Sequence, residues 1–190
     1  MQFLKNIKLI QGGMGVYVSN WRLAKAVAVE KPGVTAGTVS GTALDMIHVR
    51  LLQLGDPGGH IRRALAAFDA QFGIEIGRKI VECYFIEGGK APGERFKYGP
   101  AHRVRAMDGS EILPLSAQPA APVELSLDMD LVELWIATAF AEVWLAKEGH
   151  TGKIFINFLN KIELPLVYAM YGAMLAGVDF VIVGAGIPIQ

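Results

Sequence analysis

The chain has 190 residues, of which 52% are hydrophobic and 19% charged, so it can bury a core and is too apolar for a disordered protein. Its 18 basic and 18 acidic residues give a formal charge of zero, so it has no broad basic field to attract nucleic acid or an anionic membrane. We therefore expect one globular domain without nucleic-acid or membrane partners.

The first segment of the chain predicts one strand-loop-helix-strand unit, the repeating piece of α/β folds. Its helix is predicted to be capped at Ser19-Asn20 and to end before Pro32-Gly33. The elements in order are a strand over 7–10, a glycine-rich turn over 11–15, a helix over 21–28 and a strand over 34–40.

A different pattern occupies about 42–133, which we interpret as an insertion. Residues 42–86 predict helices, the first of them capped by Thr42. From 87 to 122 the chain carries five of its nine prolines and little helical periodicity, which predicts an irregular excursion with a hairpin around Asp108-Gly109.

The α/β pattern returns after the insertion. Residues 134–139 predict a strand followed by a helix to Lys147, but the Ala, Leu and Glu content equally suits one helix over 134–147, and periodicity does not decide between them. Further elements are a strand over 153–159, a helix over 167–176 with Pro165 at its start, and a strand over 179–184. Four or five such strands suit either a barrel or a doubly wound sheet.

The same region raises the question of a membrane span, because the apolar run from 164 to 183 is long enough for one. Pro165 and Gly177-Val-Asp179 interrupt the run, which favours a helix, a turn and a strand. The N-terminal segment lacks the pattern of a secretory signal, and Cys83 is the single cysteine, which excludes an internal disulfide and fits a cytoplasmic location. Cys83 is predicted to be a buried, inert thiol.

Two features are candidates for ligand binding. Glycines in Gln11-Gly12-Gly13-Met14-Gly15 would let backbone N–H groups approach a planar ring or an anion, although a plain tight turn explains them equally well. Asn157 places an amide within an apolar strand, where it needs a partner that either a ligand or neighbouring backbone can supply.

Other polar residues are expected to have ordinary roles. The histidines have no metal-ligand spacing, so no metal site is predicted, and structural or solvated roles are favoured for each. Charges such as Glu142, Lys147 and Glu148 are interpreted as solvated surface groups. The four histidines are His48, His60, His102 and His150.

Four phrases in this order resemble the nitronate monooxygenase (2-nitropropane dioxygenase) family, and related flavin enoyl reductases share the first and third. They are Leu9-Ile-Gln-Gly-Gly-Met-Gly-Val, Gly37-Thr-Val-Ser-Gly-Thr-Ala-Leu-Asp, Ile154-Phe-Ile-Asn-Phe-Leu, and the run from Tyr171 to Pro188. The resemblance implies an α/β fold that is the first four or five strands of an FMN-binding (β/α)₈ barrel, interrupted by the helical insertion and the excursion. It also implies that Gly12, Gly13 and Met14, with Gln11 just behind, lie along the isoalloxazine ring and that Asn157 hydrogen-bonds near it.

The chain departs from the family in two ways. Residues 42–133 are longer and more helical than the corresponding stretch, which leaves the small-molecule substrate class open. A barrel takes about 250 residues with its phosphate site after strands 7 and 8, which lie beyond Gln190. The family's histidine in a Gly-Gly-His loop also has no match here, so the catalytic residue is unknown.

The resemblance implies a cytoplasmic flavoprotein oxidoreductase in which FMN takes electrons from an alkyl nitronate and is reoxidised by O₂. One alternative is a flavin-dependent enoyl-thioester reductase that uses a nicotinamide donor. The other is a catalytically inert, truncated or split barrel module that works by association, either as a homo-oligomer or with a missing C-terminal half, because half-barrels leave open sheet edges.

Overall fold

The computed structural model describes residues 5–97, 105–106, 125–126 and 128–186. The helices and strands alternate in the first and last thirds of the chain, as the sequence predicts. In chain order they are β1 (Leu9–Ile10), α1 (Trp21–Glu30), β2 (Thr35–Ser40), α2 (Leu44–Gln53), α3 (His60–Phe72), α4 (Ile76–Tyr84), β3 (Arg105–Ala106), β4 (Leu125–Ser126), α5 (Met129–Lys147), β5 (Lys153–Leu159), α6 (Glu163–Leu175) and β6 (Phe180–Gly184).

Four parallel strands form one curled sheet in the order β1-β2-β5-β6. Ser40 of β2 pairs with Asn157 of β5, and Asn157 pairs in turn with Ile182 of β6. The two short strands β3 and β4 form a separate antiparallel pair. The expectation of a mixed α/β fold with a parallel sheet is therefore confirmed.

Helices α1, α5 and α6 pack on one face of the sheet, to which Val39, Ile156 and Phe158 contribute buried side chains. Because neighbouring residues of a strand point to opposite faces, Phe155 lies on the other face, where its ring packs against Phe180 at 5.4 Å. The carboxyl ends of all four strands meet at one edge, which is where sites of α/β folds assemble.

Helix α5 lies at the centre of the helical layer. Thirteen of its 19 residues are buried, and Phe140 packs against Phe68 of α3 with ring centroids 4.9 Å apart. Full burial of one such side chain stabilises the fold by about 1.5–3 kcal/mol. A helix that is apolar all round belongs in a core.

Three glycines allow backbone to approach backbone in this layer. A Cβ on Gly37 would overlap the carbonyl oxygen of Ala24 in α1, and one on Gly152 would overlap that of Ala28. A Cβ on Gly172 of α6 would likewise meet the carbonyl of Ile136 in α5. The helices therefore rest directly on the neighbouring backbone at these points.

The choice left open for residues 134–147 is settled by α5, which runs unbroken from Met129 to Lys147. The interpretation of residues 134–139 as a strand was wrong, because an element buried on every side shows no periodicity that separates helix from strand. Thr42 was also wrong as a cap: the N-cap of α2 is Ala43, in the left-handed conformation at φ 58° without a side-chain cap. The cap at Asn20 is confirmed, since its side chain accepts hydrogen bonds from the N–H groups of Arg22 and Leu23.

Two burial predictions are corrected. Cys83 is exposed, because α4 is a surface helix in which only Gly77 and Ile80 are buried. Glu142, expected to be a solvated charge, is fully buried, because the helix that carries it is central and the side chain finds partners inside.

Within residues 42–86, three helices occupy the segment predicted to be helical, and residues 85–97 contain neither helix nor strand. The hairpin predicted around Asp108-Gly109 lies outside the described residues. The apolar run from 164 to 183 resolves into α6, a turn and β6, as predicted. Among the helices described, none combines the length and apolar character needed to cross a membrane.

Candidate functional site

The glycine-rich loop after β1 is held in place by the side chain of Gln11. Its Oε1 accepts a hydrogen bond from the N–H of Thr38 in β2 at 3.0 Å, and its Nε2 donates to Ser19 Oγ at 2.8 Å and to the carbonyl of Gly12. Gln11 therefore joins both ends of the loop to the sheet.

Ser19 closes the same loop from its far end. Its buried hydroxyl donates to the carbonyl of Gly12 at 3.1 Å and accepts from the N–H of Met14 at 2.9 Å, and its own N–H donates to the Met14 carbonyl at 3.0 Å. The sequence indicated Ser19 only as part of a helix cap. Its hydrogen bonds to the loop were not predicted, because they form only when the loop folds back on itself.

Gly13 is the point at which the loop touches strand β5. A Cβ added to Gly13 would overlap Cβ of Asn157 and lie 3.0 Å from its Cγ. A Cβ on Gly12 would meet nothing within 4 Å. The structure thus brings together the two features that the sequence singled out, and Gly13 is the glycine that this approach requires.

The side-chain amide of Asn157 is half-buried and makes no hydrogen bond to any described residue. Its backbone carbonyl is occupied by the N–H of Gly41, at 2.8 Å. An amide offers two N–H donors and one acceptor oxygen. No group of the described chain therefore satisfies the side-chain amide of Asn157, which is available to a ligand.

The surface beside this amide suits a flat ligand. Gly12 and Met14 are exposed, Met14 to 48%, so the upper side of the loop presents backbone and a soft thioether. Gly13 keeps Cβ atoms out of the space next to Asn157. Together these residues can hold a planar ring along the loop while the amide bonds a ring nitrogen or carbonyl.

Thr38 is a neighbour of the site that the sequence did not indicate. Its side chain is fully buried, and its hydroxyl lacks a hydrogen-bond partner in the described part of the chain. Its backbone N–H is the group that Gln11 binds. A threonine in an apolar strand carries no signal that would separate this position from ordinary core.

A second polar group that the sequence missed is Asp45, just after the carboxyl end of β2. Its carboxylate accepts from the indole N–H of Trp135 at 3.2 Å and is 9% exposed. Burial raises the pKa of Asp45, while hydrogen bonds from the Met46 backbone and Trp135 oppose the change. An acidic residue in the first turn of a helix is ordinarily explained by its favourable interaction with the helix dipole. Nothing in the sequence therefore indicated that Asp45 would be buried.

The histidines that the structure describes have internal partners or contacts. His48 bonds Glu142, His60 packs against Trp21, and His150 Nε2 lies 2.6 Å from the carbonyl of Ala146. His102 is outside the described residues. Within the described ranges, no group of three or more His, Cys, Asp or Glu side chains has the arrangement of a metal site.

No family model, curated protein or solved structure matches this chain.

Proposed function

We propose that this chain forms the flavin-binding face of an FMN-dependent oxidoreductase of the nitronate monooxygenase type. The observation that carries the proposal is the contact between Gly13 and Asn157, which the fold brings together from distant parts of the sequence. In this proposal Gln11, Gly12, Gly13 and Met14 form the bed of the isoalloxazine ring, and the Asn157 amide bonds its edge.

A partial (β/α)₈ barrel is the architecture that we propose for the sheet. Its order, β1-β2-β5-β6, advances along the chain in one direction, as it does around a barrel. A doubly wound sheet instead reverses its strand order at a switch point, and ligands bind there. The curl and the direction of the order both support the barrel.

The chemistry divides between cofactor and chain. FMN, when bound, would supply electron transfer from a small alkyl nitronate to O₂. The chain's part is positioning: Gln11 and Ser19 fix the loop, Gly13 lets the loop lie directly against Asn157, and Asn157 orients the ring. A base is not assigned to any described residue.

The sharpest test compares two adjacent glycines. Purified chain should be yellow or take up FMN to a flavin spectrum with saturable binding. Gly13→Ala, and more strongly Gly13→Val, should weaken FMN binding at least about tenfold because the new side chain displaces the loop from Asn157. Gly12→Ala is the control for the fold of the loop, because its methyl group would meet no protein atom and should leave stability unchanged, and Ala70→Val at an exposed position of α3 should bind FMN as the parent does.

The result that would overturn the flavin site is specific. If folded Gly13→Ala and Asn157→Ala both bind FMN with unchanged affinity, or if the parent chain binds none, the ring does not lie here. Circular dichroism of each variant separates loss of binding from loss of fold.

The substrate is tested separately, because an enoyl-thioester reductase would use the same bed for the ring. The FMN-loaded protein is supplied either with an alkyl nitronate in air or with NAD(P)H and an enoyl thioester. We expect carbonyl product from the nitronate. Reduction of the thioester without nitronate turnover would assign the alternative activity.

Association of two copies is a second proposal, favoured by an apolar stripe on α6. Val167, Tyr171 and Met174 recur at helical spacing and are 64%, 53% and 61% exposed. β6, the strand that follows α6, is an edge strand of the described sheet. Light scattering should show a dimer that Val167→Lys with Met174→Lys dissociates and Val29→Lys on α1 does not. A monomeric parent chain would end this proposal.

A further inference from the structure

A cavity of about 180 Å³, apart from the proposed flavin site, lies between the start of α1 and the turn that precedes α3. Its wall includes charged, polar and apolar side chains from three parts of the chain. They include Tyr17, Trp21, Arg22, Leu51, Asp56, His60 and Ile61. None of them belongs to the loop segment or strand proposed to hold the flavin.

Polar atoms without partners concentrate at this cavity. Four buried side-chain atoms in the described part of the chain lack a hydrogen bond, and two of them, Tyr17 Oη and His60 Nδ1, belong to its lining. A third, Nδ1 of His48, is on a ring packed edge-on to Tyr17 with centroids 6.4 Å apart. Buried polar groups in native proteins are almost always satisfied, so this cluster indicates an occupant that supplies the partners.

Tyr17 is held in an unusual backbone conformation to reach this position. Its φ is 61°, in the left-handed region that residues other than glycine seldom adopt. Such outliers persist where the surrounding structure enforces them, and they concentrate at ligand sites. The conformation places the phenol in the lining of the cavity instead of in solvent.

The charges at the cavity favour an anion. Asp56 is already satisfied, because its carboxylate accepts from the N–H groups of Ile61 and Arg62 and from Arg62 Nε, at 3.0–3.3 Å. Arg22 lies 4.4 Å over the Trp21 ring, and no described carboxylate is within ion-pair distance of it. Arg22 is therefore a cation of the cavity lining that has no carboxylate partner in the described part of the chain.

We infer that this cavity binds a small organic monocarboxylate. The carboxylate lies between the Arg22 guanidinium and the Tyr17 hydroxyl, which are charged and neutral donors suited to it. A short carbon chain lies against Leu51 and Ile61. The volume is below the range of sites for drug-sized ligands, so a molecule of a few carbons fits and a nucleotide does not.

Calorimetric titration of the purified chain with sodium butyrate tests the assignment, at constant ionic strength. We expect saturable one-site binding of butyrate and none of butyramide, which has the same shape without the charge. Arg22→Gln and Tyr17→Phe should each weaken butyrate binding about tenfold or more. Arg78→Gln and Tyr171→Phe, which change an exposed arginine and an exposed tyrosine elsewhere, should leave it unchanged.

Three results would overturn the site: no saturable binding of butyrate, equal binding of butyramide, or unchanged binding by both cavity variants. In the first case the cavity holds water only. Arg22 is exposed, so Arg22→Gln keeps the test decisive even if Tyr17→Phe fails to fold. FMN binding of the same variants is measured in parallel, and it should not change, because the two sites share no residue.

Discussion

His48 Nε2 lies 2.9 Å from Glu142 Oε2, and neither side chain is exposed to solvent. The other oxygen of Glu142 accepts the N–H of Trp21, the first residue of α1, at 2.6 Å. One carboxylate of α5 therefore ties α2 to the start of α1. Because Ser19 comes just before that helix, the pair also anchors the end of the glycine-rich loop.

Glu142→Ala should lower the free energy of unfolding by about 3–5 kcal/mol, because it leaves His48 and the Trp21 N–H buried without a partner. Urea denaturation measures the change. Glu148→Ala is the matched control: its carboxylate pairs with Arg63 at the surface and should cost no more than about 1 kcal/mol. Equal effects of the two substitutions would contradict the structural role of the buried pair.

Asp45→Asn should change stability in a pH-dependent way. Because burial raises the pKa of Asp45, the folded protein favours its neutral form. Below the unfolded pKa of about 3.9 the carboxyl is neutral in both states, and as pH rises through the higher folded pKa the parent must bury a charge. The advantage of the variant should therefore grow from about pH 4 to pH 7.

Thermal melts of parent and variant across that range give the comparison. Asp130→Asn, at an exposed position in the first turn of α5, controls for removal of one negative charge. A stability difference that stays flat for Asp45→Asn would show that the carboxyl ionises as readily in the fold as outside it.

Asp179→Asn should show the opposite dependence on pH. Burial alone would raise the pKa of Asp179, but hydrogen bonds from Lys147 at 2.6 Å, Lys153 at 2.8 Å and the N–H of Ile154 lower it overall. The charged form therefore stabilises the fold above the unfolded pKa of about 3.9, and this contribution is lost as pH falls through the lower folded pKa.

At pH 7 we expect Asp179→Asn to cost about 2 kcal/mol in urea denaturation, with the two proteins converging in acid. Glu75→Gln, which breaks an exposed pair with Arg78, should change little at either pH. If the stability difference between the parent and Asp179→Asn does not shrink on acidification, the charge of Asp179 is not its cause.

Much of the strand pattern was predictable from the sequence, because short apolar runs act locally, whereas Gly13 and Asn157 were singled out separately and only the fold brings them into contact. The continuous α5 was not predictable, since its apolar residues surround the whole helix and leave no period to read. The burial of Glu142 and the exposure of Cys83 were also not predicted. Their burial depends on which helix lies at the centre, and long-range packing decides that.

The cavity beside Tyr17 was beyond prediction for a different reason. It depends on a left-handed residue and on side chains from the loop, from α2 and from the turn before α3. No single segment carries its signature. The motif at 11–15 pointed to the front of this loop and gave no sign of the site behind it.

Gly37, Gly152 and Gly172 set a limit on how this sequence can vary. At each of them even the Cβ of alanine would overlap a helix carbonyl. Because backbone atoms cannot rotate out of the way as a side chain can, any substitution there should destabilise the fold. In a saturation mutagenesis experiment these should be three positions at which all nineteen replacements reduce the yield of folded protein. Gly12, where a methyl group meets nothing, should tolerate small residues. A map of tolerated substitutions would thus locate close backbone contacts of the helices, with the sheet at Gly37 and between α5 and α6 at Gly172, without any structure being determined.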